Sequence, residues 1–63
     1  MEDFQQRVVD ERDVLSGKLS KLCAFVTTDL FKSLPQPEQN RLTRQWVYMK
    51  SYLDVLDERI QAF

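Results

Sequence analysis

Apolar side chains recur every three or four positions through the C-terminal half of the chain. The repeat runs without a break through seven residues: Leu42, Trp46, Met49, Leu53, Leu56, Ile60 and Phe63. Alternating spacings of three and four place these side chains on one face of an α-helix, as in the seam of a helical bundle. Pro37 suits the first position of a helix, and Glu38 suits its positively polarised first turn. The pattern therefore predicts a helix over residues 37–62, whose seam from Leu42 to Ile60 forms the core or a dimer contact.

A second apolar stripe flanks this seam on one side of the same helix. Tyr48, Tyr52 and Val55 follow each other at spacings of four and three, and Ala62 extends the stripe. Together the two stripes occupy about half of the helix circumference, which is wider than a two-helix hairpin needs. Two interpretations stay open, namely burial of the tyrosines in the assembled protein and a docking face for a partner protein.

The N-terminal half carries a thinner stripe of the same periodicity. Six apolar residues fall within about 60° of each other on a helical wheel: Phe4, Val8, Leu15, Leu19, Leu22 and Val26. They predict a first helix over residues 3–27, with Glu2 and Asp3 at the end where the helix dipole favours negative charge. Gly17 lies on the opposite face, either as a tolerated surface glycine or as a point where a partner backbone approaches closely.

The segment between the two helices carries capping and turn signals. Residues 27–29, two threonines and an aspartate, are N-cap types,, and Pro35 disfavours helical backbone in the residue before it. A short helical turn over residues 28–34 is therefore expected. Its apolar residues should fold over the end of the bundle: Leu30, Phe31 and Leu34. The sequence thus predicts an all-α fold in one domain, residues 1–63, with two long antiparallel helices and a short helical turn between them.

Size and composition add an expectation about assembly. The chain has 63 residues and one cysteine, and a domain of this size buries only about 60% of its unfolded surface. A single cysteine allows neither an internal disulfide nor a cysteine zinc site. Oligomerisation is then the remaining way to bury enough apolar surface for a stable fold. We therefore expect two hairpins to form a four-helix bundle. Cys23 is expected to be a small apolar filler, with a cross-dimer disulfide or a reactive thiol as the alternative.

The same composition argues against catalysis. The chain has no histidine and no glycine-rich phosphate loop,. Paired carboxylates such as Asp10 and Asp13 would need a pocket to separate their pKa values. We expect neither enzymatic activity nor a bound cofactor or metal ion. The acidic N-terminus resembles no targeting peptide, no apolar run is long enough for a membrane span, and the lone cysteine fits a reducing cytoplasm.

Charge is segregated along the predicted hairpin. The connector end, residues 18–50, has six basic and two acidic residues, a net +4. The open end, residues 1–17 and 51–63, has three basic and eight acidic residues, a net −5. Opposite ends attract in an antiparallel dimer and like ends repel in a parallel one. One alternative is that these charges have no role in assembly and only keep the surface solvated and the protein soluble. Another is nucleic-acid docking on the basic end, which comprises Lys18, Lys21, Lys32, Arg41 and Arg44.

Several segments of the chain carry a resemblance to a known group of proteins. They are Gln6-Arg7-Val8-Val9-Asp10-Glu11, Lys21-Leu22-Cys23-Ala24-Phe25, Leu34-Pro35, Glu38-Gln39, Leu42, and Met49-x-x-Tyr52-x-x-Val55-Leu56-x-Glu58-Arg59-Ile60. In order and spacing they resemble the small accessory proteins encoded in the exo–xis region of lambdoid phages and prophages. The resemblance implies an early phage protein in the host bacterial cytoplasm, linked to the lysis–lysogeny balance, prophage induction or host growth. It carries over no catalytic residues.

The shared polar positions of this resemblance suggest a contact between the helices. In an antiparallel hairpin, Arg7 and Glu11 would lie near Glu58 and Arg59. A polar inter-helix cluster is the expectation, and a partner-binding site is the alternative. The leading functional hypothesis is a homodimeric helical interaction module that binds a host or phage protein. Its alternatives are a nucleic-acid-associated regulator that uses the basic connector end and a small-ligand sponge at the dimer interface.

Overall fold

A computed structural model describes the whole chain, residues 1–63, as three helices without a strand. They are α1 (Asp3–Phe25), α2 (Asp29–Ser33) and α3 (Gln36–Gln61). α1 and α3 pack against each other in antiparallel directions and form a rod of 46 × 14 × 13 Å. The predicted all-α hairpin with a short helical turn is confirmed.

The first helix ends two residues before the predicted boundary. α1 stops at Phe25, and the hydroxyls of Thr27 and Thr28 then donate hydrogen bonds to the carbonyls of Ala24 and Phe25, at 2.7 and 2.6 Å. The backbone N–H groups of the same two threonines also donate to these carbonyls, at 3.3 and 3.0 Å. The two threonines thus satisfy the C-terminal end of α1.

The connector helix is shorter than the predicted 28–34. Thr28 is its N-cap, and the Thr28 hydroxyl accepts a hydrogen bond from the Phe31 N–H at 3.2 Å. Leu34 has extended backbone, with ψ at 151°, because the ring of Pro35 disfavours helical geometry in the residue before it. Both end residues of the predicted turn therefore lie outside the helix and cap it.

The second long helix begins one residue before Pro37, which was its predicted first residue. Gln36 is the first residue of α3 and Pro37 the second. The Pro35 carbonyl accepts hydrogen bonds from the N–H groups of Glu38 and Gln39, at 2.9 and 3.1 Å. Pro37 is tolerated at this position because the first N–H groups of a helix have no intrahelical partner.

The core of the single chain is very small. Only four side chains are buried: Val8, Leu19, Leu53 and Leu56. The remaining seam residues from Leu42 to Ile60 are half-buried, and Phe63 is exposed, with its ring 6.0 Å from that of Phe4. The seam therefore faces α1, but its two ends stay partly open to solvent.

The connector covers its end of the hairpin only in part. Phe31 packs edge-to-face on Phe25 with ring centroids 5.9 Å apart, and Leu34 is half-buried. Leu30, which was expected to fold over the end, is 63% exposed. Neighbouring residues of one helical turn point about 100° apart, so Leu30 cannot face the core together with Phe31. Cys23 is also exposed rather than a buried filler.

Candidate interaction surface

One long side of α3 leaves three apolar side chains without cover. Tyr48, Tyr52 and Val55 are 70%, 45% and 49% exposed. They lie on one flank of the seam, where the Tyr52 hydroxyl alone forms a hydrogen bond to α1, and we call them the tyrosine face. Exposed aromatic and aliphatic residues grouped on one helix face are typical of surfaces that bind other proteins.

The two tyrosines differ in how firmly they are held. The Tyr52 hydroxyl donates a hydrogen bond to the carboxylate of Glu11 on α1. This bond raises the pKa of Tyr52, assisted by partial desolvation and by the negative charge of Glu11, whereas the nearby positive charge of Arg59 opposes the rise. Tyr48 makes no side-chain hydrogen bond. Tyr52 is thus fixed across the hairpin, while the Tyr48 ring is free to adapt to a partner.

A second polar contact ties the helices on the opposite flank of the core. The Arg12 Nε–H donates to the Asp57 carboxylate at 2.7 Å, and Asp13 lies 3.5 Å from the same guanidinium. The hydrogen bond to Asp57 and the charge of that carboxylate raise the pKa of Arg12 above its already high ordinary value. The small core therefore lies between two inter-helix polar contacts, Tyr52–Glu11 and Arg12–Asp57.

The predicted polar inter-helix cluster forms only in part. Of Arg7, Glu11, Glu58 and Arg59, only Glu11 makes a hydrogen bond across the hairpin, and none forms an ion pair within 4.0 Å. Tyr52 takes the place next to Glu11. Sequence reasoning missed the Arg12–Asp57 pair, although the position of Arg12 beside the first apolar stripe on the helical wheel was a usable signal.

A shallow depression adjoins the tyrosine face near the connector end. It has a volume of about 460 Å³ and is lined by Arg41, Arg44, Gln45, Tyr48 and Met49. Arg41 is paired with Glu38 at 2.9 Å, whereas Arg44 has no acidic partner within 4.0 Å. The depression therefore combines an aromatic ring with an uncompensated guanidinium. Such a pair suits planar or anionic groups.

The other basic residues of the connector end do not join this depression. Lys18 and Lys21 lie on α1 and Lys32 lies on α2, all exposed and without an ion pair. The five predicted basic residues are thus spread over three helices. Only Arg41 and Arg44 line a common depression with apolar side chains.

A second depression lies on the opposite flank of the seam. It holds about 320 Å³ between the end of α1, α2 and the start of α3, and its lining is mainly apolar: Cys23, Val26, Phe31, Thr43 and Trp46. The indole N–H of Trp46 is buried without a hydrogen-bond partner. An unsatisfied buried donor is costly, and it marks this end of the hairpin as incompletely packed.

Comparison with known proteins places the chain in a phage context. A family model described as Sequestin matches residues 2–62. The chain is 37% identical over 60 residues to the "Uncharacterized 7.5 kDa protein in denB-rIIB intergenic region" of Enterobacteria phage T4, across 95% of this chain and 94% of that protein. No solved structure matches the chain, and no helix is both long enough and apolar enough to cross a membrane. With nearly the whole hairpin matched, the chain belongs to the Sequestin family, and its relatives indicate a small phage protein.

Proposed function

We propose that this protein is a non-enzymatic early accessory protein of a phage, a homodimeric helical interaction module that binds and holds a host or phage protein in the host cytoplasm. Binding would shift phage development, through the lysis–lysogeny balance or induction, or restrain host growth. The observation that carries the proposal is the tyrosine face, because Tyr48, Tyr52 and Val55 stay exposed although the chain has few apolar residues to spare for its core.

The shape of the molecule supports action by binding. A rod 13 to 14 Å thick is only two helices wide, so it has no interior in which a catalytic group could be enclosed. Catalytic acids and bases depend on burial or close neighbours to adjust their pKa values. The acidic residues of this chain lie at its surface or in ion pairs.

The comparisons support the phage setting of the proposal. The family name Sequestin is consistent with a protein that retains its target instead of converting it. The match covers 95% of this chain and 94% of the T4 relative, so the similarity extends over nearly all of both proteins. The closer kinship with the exo–xis proteins of lambdoid phages is part of this proposal.

An affinity capture from infected cells tests the protein-partner function. The bait is the wild-type chain beside a Tyr48→Ala/Tyr52→Ala variant. Val47→Ala is the matched control, because Val47 is exposed and lies about 100° around α3 from Tyr48, outside the tyrosine face,. Helicity and solution mass are measured for each bait. We expect one protein that the wild type and the control capture and that the double variant loses. That protein, once purified, should bind the wild type saturably.

Capture that survives the double variant with unchanged helicity would contradict the role of the tyrosine face. If the double variant instead becomes monomeric, the tyrosines belong to the interface between two copies. A variant of the neighbouring depression, Arg44→Gln, then repeats the test, and its solution mass is measured to show whether it is still a dimer.

The depression at Arg41, Arg44 and Tyr48 favours a second candidate, a small-ligand sponge at the edge of the dimer interface. A guanidinium binds phosphate or carboxylate oxygens, and a phenol ring stacks on a planar group. Both groups occur together in this depression. The ligand that such a lining would take is a small anion with an aromatic ring, such as a nucleotide messenger.

A thermal-shift screen with nucleotide messengers tests the sponge. A ligand that binds only the folded state raises the melting temperature, and the rise increases with the ratio of ligand concentration to dissociation constant. We expect any real ligand to lose its effect in Arg44→Gln and Tyr48→Ala and to keep it in Lys32→Gln, which alters a basic residue outside the depression. If no messenger shifts the wild type, or if Lys32→Gln abolishes the shift equally, the sponge is contradicted.

A further inference from the structure

We infer that a second copy of this chain covers the tyrosine face, and that the two hairpins lie side by side and antiparallel along most of their length. This inference rests on the homodimer in the proposed function and adds to it the interface, the orientation and the register. A second copy on the tyrosine face takes the place of a host or phage protein there, so the target protein would bind elsewhere on the dimer. The inference follows from three properties of the hairpin, namely its small core, its dimensions and the distribution of its charge.

The first property is the shortage of buried surface. Four of the 63 side chains are buried, whereas nine large apolar residues are exposed. A chain of this size without disulfides or metal ions needs additional burial for a stable fold. The tyrosine face groups three of the exposed residues on one side of α3, directly beside the seam. A second hairpin placed there would extend the core into a four-helix bundle.

The second property is the size of the face. The rod is 46 Å long and 14 Å wide, so one long side projects an area of about 640 Å², whereas a stable interface buries about 800 Å² per partner. Interdigitating side chains can make up the difference only if most of the length is in contact. Two rods that cross steeply would share a small fraction of this area. The contact must therefore run along most of the length of both hairpins.

The third property decides the orientation. Contact over most of the length brings each end of one hairpin close to an end of the other. The connector end carries +4 and the open end −5. A parallel pair would place like charges together at both ends, whereas an antiparallel pair places opposite charges together at both ends. The charge distribution thus favours the antiparallel arrangement.

Two-fold symmetry then sets the register. A two-fold axis across the face maps the apolar patch onto itself only if it passes near the middle of the patch. That middle lies between Ser51 and Tyr52, halfway from Tyr48 to Val55. Tyr48 would therefore contact Val55 of the partner subunit. In the same register Arg44 would lie level with Arg59 of the partner subunit, and Glu58 of the partner subunit would lie one residue, about 1.5 Å, further along the helix axis,.

Disulfide cross-linking tests orientation and register together. In a Cys23→Ser background, Tyr48→Cys and Val55→Cys are made separately, and one of them carries a tag that distinguishes the products by mass. In the antiparallel dimer identical positions are seven residues apart along the axis, about 10 Å at 1.5 Å per residue, beyond the Cα separation of about 7 Å that a disulfide spans. We expect each variant alone to cross-link weakly and an equimolar mixture to yield the mixed disulfide at least several-fold more strongly.

Two outcomes would overturn the inference. Efficient cross-linking of each variant with itself, and little mixed product, would show a parallel pair. Sedimentation of the wild type at the 7.5 kDa of a single chain, at all accessible concentrations, would show that no second copy covers the face. A monomer that still captures its target through the tyrosine face would refute only this inference and leave the proposed binding function intact.

The wild-type protein provides a test that needs no substitution. Added salt screens the attraction between opposite ends and the repulsion between like ends. We expect the dimer dissociation constant, measured by sedimentation, to rise several-fold between low and moderate sodium chloride concentrations. A dissociation constant that falls with salt would contradict the antiparallel arrangement even if the cysteine variants fail to fold.

Discussion

At the scale of single residues, Leu56 and Tyr52 mark the two ways in which the hairpin is held together. Leu56 is the one side chain with no exposed surface, and it lies at the centre of the seam between α1 and α3. Tyr52 is 45% exposed and holds its place through the carboxylate of Glu11. The first contact depends on burial and the second on a hydrogen bond at the surface, so the two respond to different perturbations.

Leu56→Ala should be the most damaging truncation of a single apolar side chain. Removal of a fully buried leucine side chain loses its transfer free energy and leaves a cavity, at a cost of about 3 kcal/mol in the free energy of unfolding. Val47→Ala, on an exposed position of the same helix, should change it by less than about 0.5 kcal/mol. Urea denaturation followed by circular dichroism measures both. Equal effects would mean that Leu56 is not the centre of the core.

Tyr52 should make stability depend on alkaline pH. Its pKa lies above the ordinary value of 10.0 in the folded chain, because the neutral hydroxyl donates to Glu11. The folded state therefore favours the protonated phenol. This contribution is fully present below pH 10 and is lost as the pH rises through the raised pKa. Melting temperatures across this range should fall more steeply for the wild type than for Tyr52→Phe.

Tyr48→Phe is the matched control, because Tyr48 has no hydrogen-bond partner across the hairpin. The melting temperature of this variant should fall with rising alkaline pH in the same way as that of the wild type. An identical profile for Tyr52→Phe and the wild type would contradict the Tyr52–Glu11 contact.

At the scale of elements, α1 is the weaker of the two long helices. It carries the thinner apolar stripe, and Gly17 lies within it on an exposed position. A glycine in a helix interior costs backbone entropy relative to alanine. The side chains of Arg12 and Glu11 compensate in part, since each joins α1 to α3 through a polar contact.

Gly17→Ala should therefore stabilise the protein. A Cβ atom at this position meets nothing within 4 Å in the single chain, and alanine is more favourable in a helix by about 1 kcal/mol. Thermal unfolding should show a higher melting temperature with unchanged solution mass. A lower melting temperature together with a loss of dimer would instead show that a partner backbone approaches Gly17 closely.

At the scale of the whole molecule, the hairpin has the dimensions of half a four-helix bundle. Its length of 46 Å and its thickness of two helices leave most apolar seam residues in contact with both protein and solvent. The depression beside Trp46, with its unpartnered indole N–H, shows the same incomplete packing at the connector end. An isolated rod of this kind has little burial with which to offset the conformational entropy of folding.

Stability should therefore depend on protein concentration. If folding and association are coupled, mass action raises the melting temperature as the concentration rises. We expect a higher melting temperature in a concentrated solution than in one diluted 100-fold, with the mean mass falling toward that of one chain on dilution. A melting temperature independent of concentration over this range would contradict coupling between folding and dimer formation.

The sequence by itself determined the helices, the connector and the seam, because these depend on interactions within a few residues. The spacing of Leu53 and Leu56 predicted their common face, and the cap at Thr28 and the break at Pro35 followed from local backbone chemistry. Helix ends differed by one or two residues, since competing side-chain hydrogen bonds such as that of Thr27 decide where the last turn ends.

Only the tertiary structure decided how the helices rotate against each other. Periodicity shows which residues share a face, but it does not show which half of a wide face a single neighbouring helix covers. The rotation of α3 buried Leu53 and left Tyr48 exposed, and it paired Tyr52 with Glu11 and Arg12 with Asp57 in place of the predicted cluster. These contacts join residues more than 40 positions apart, so their geometry depends on the packing of the whole hairpin.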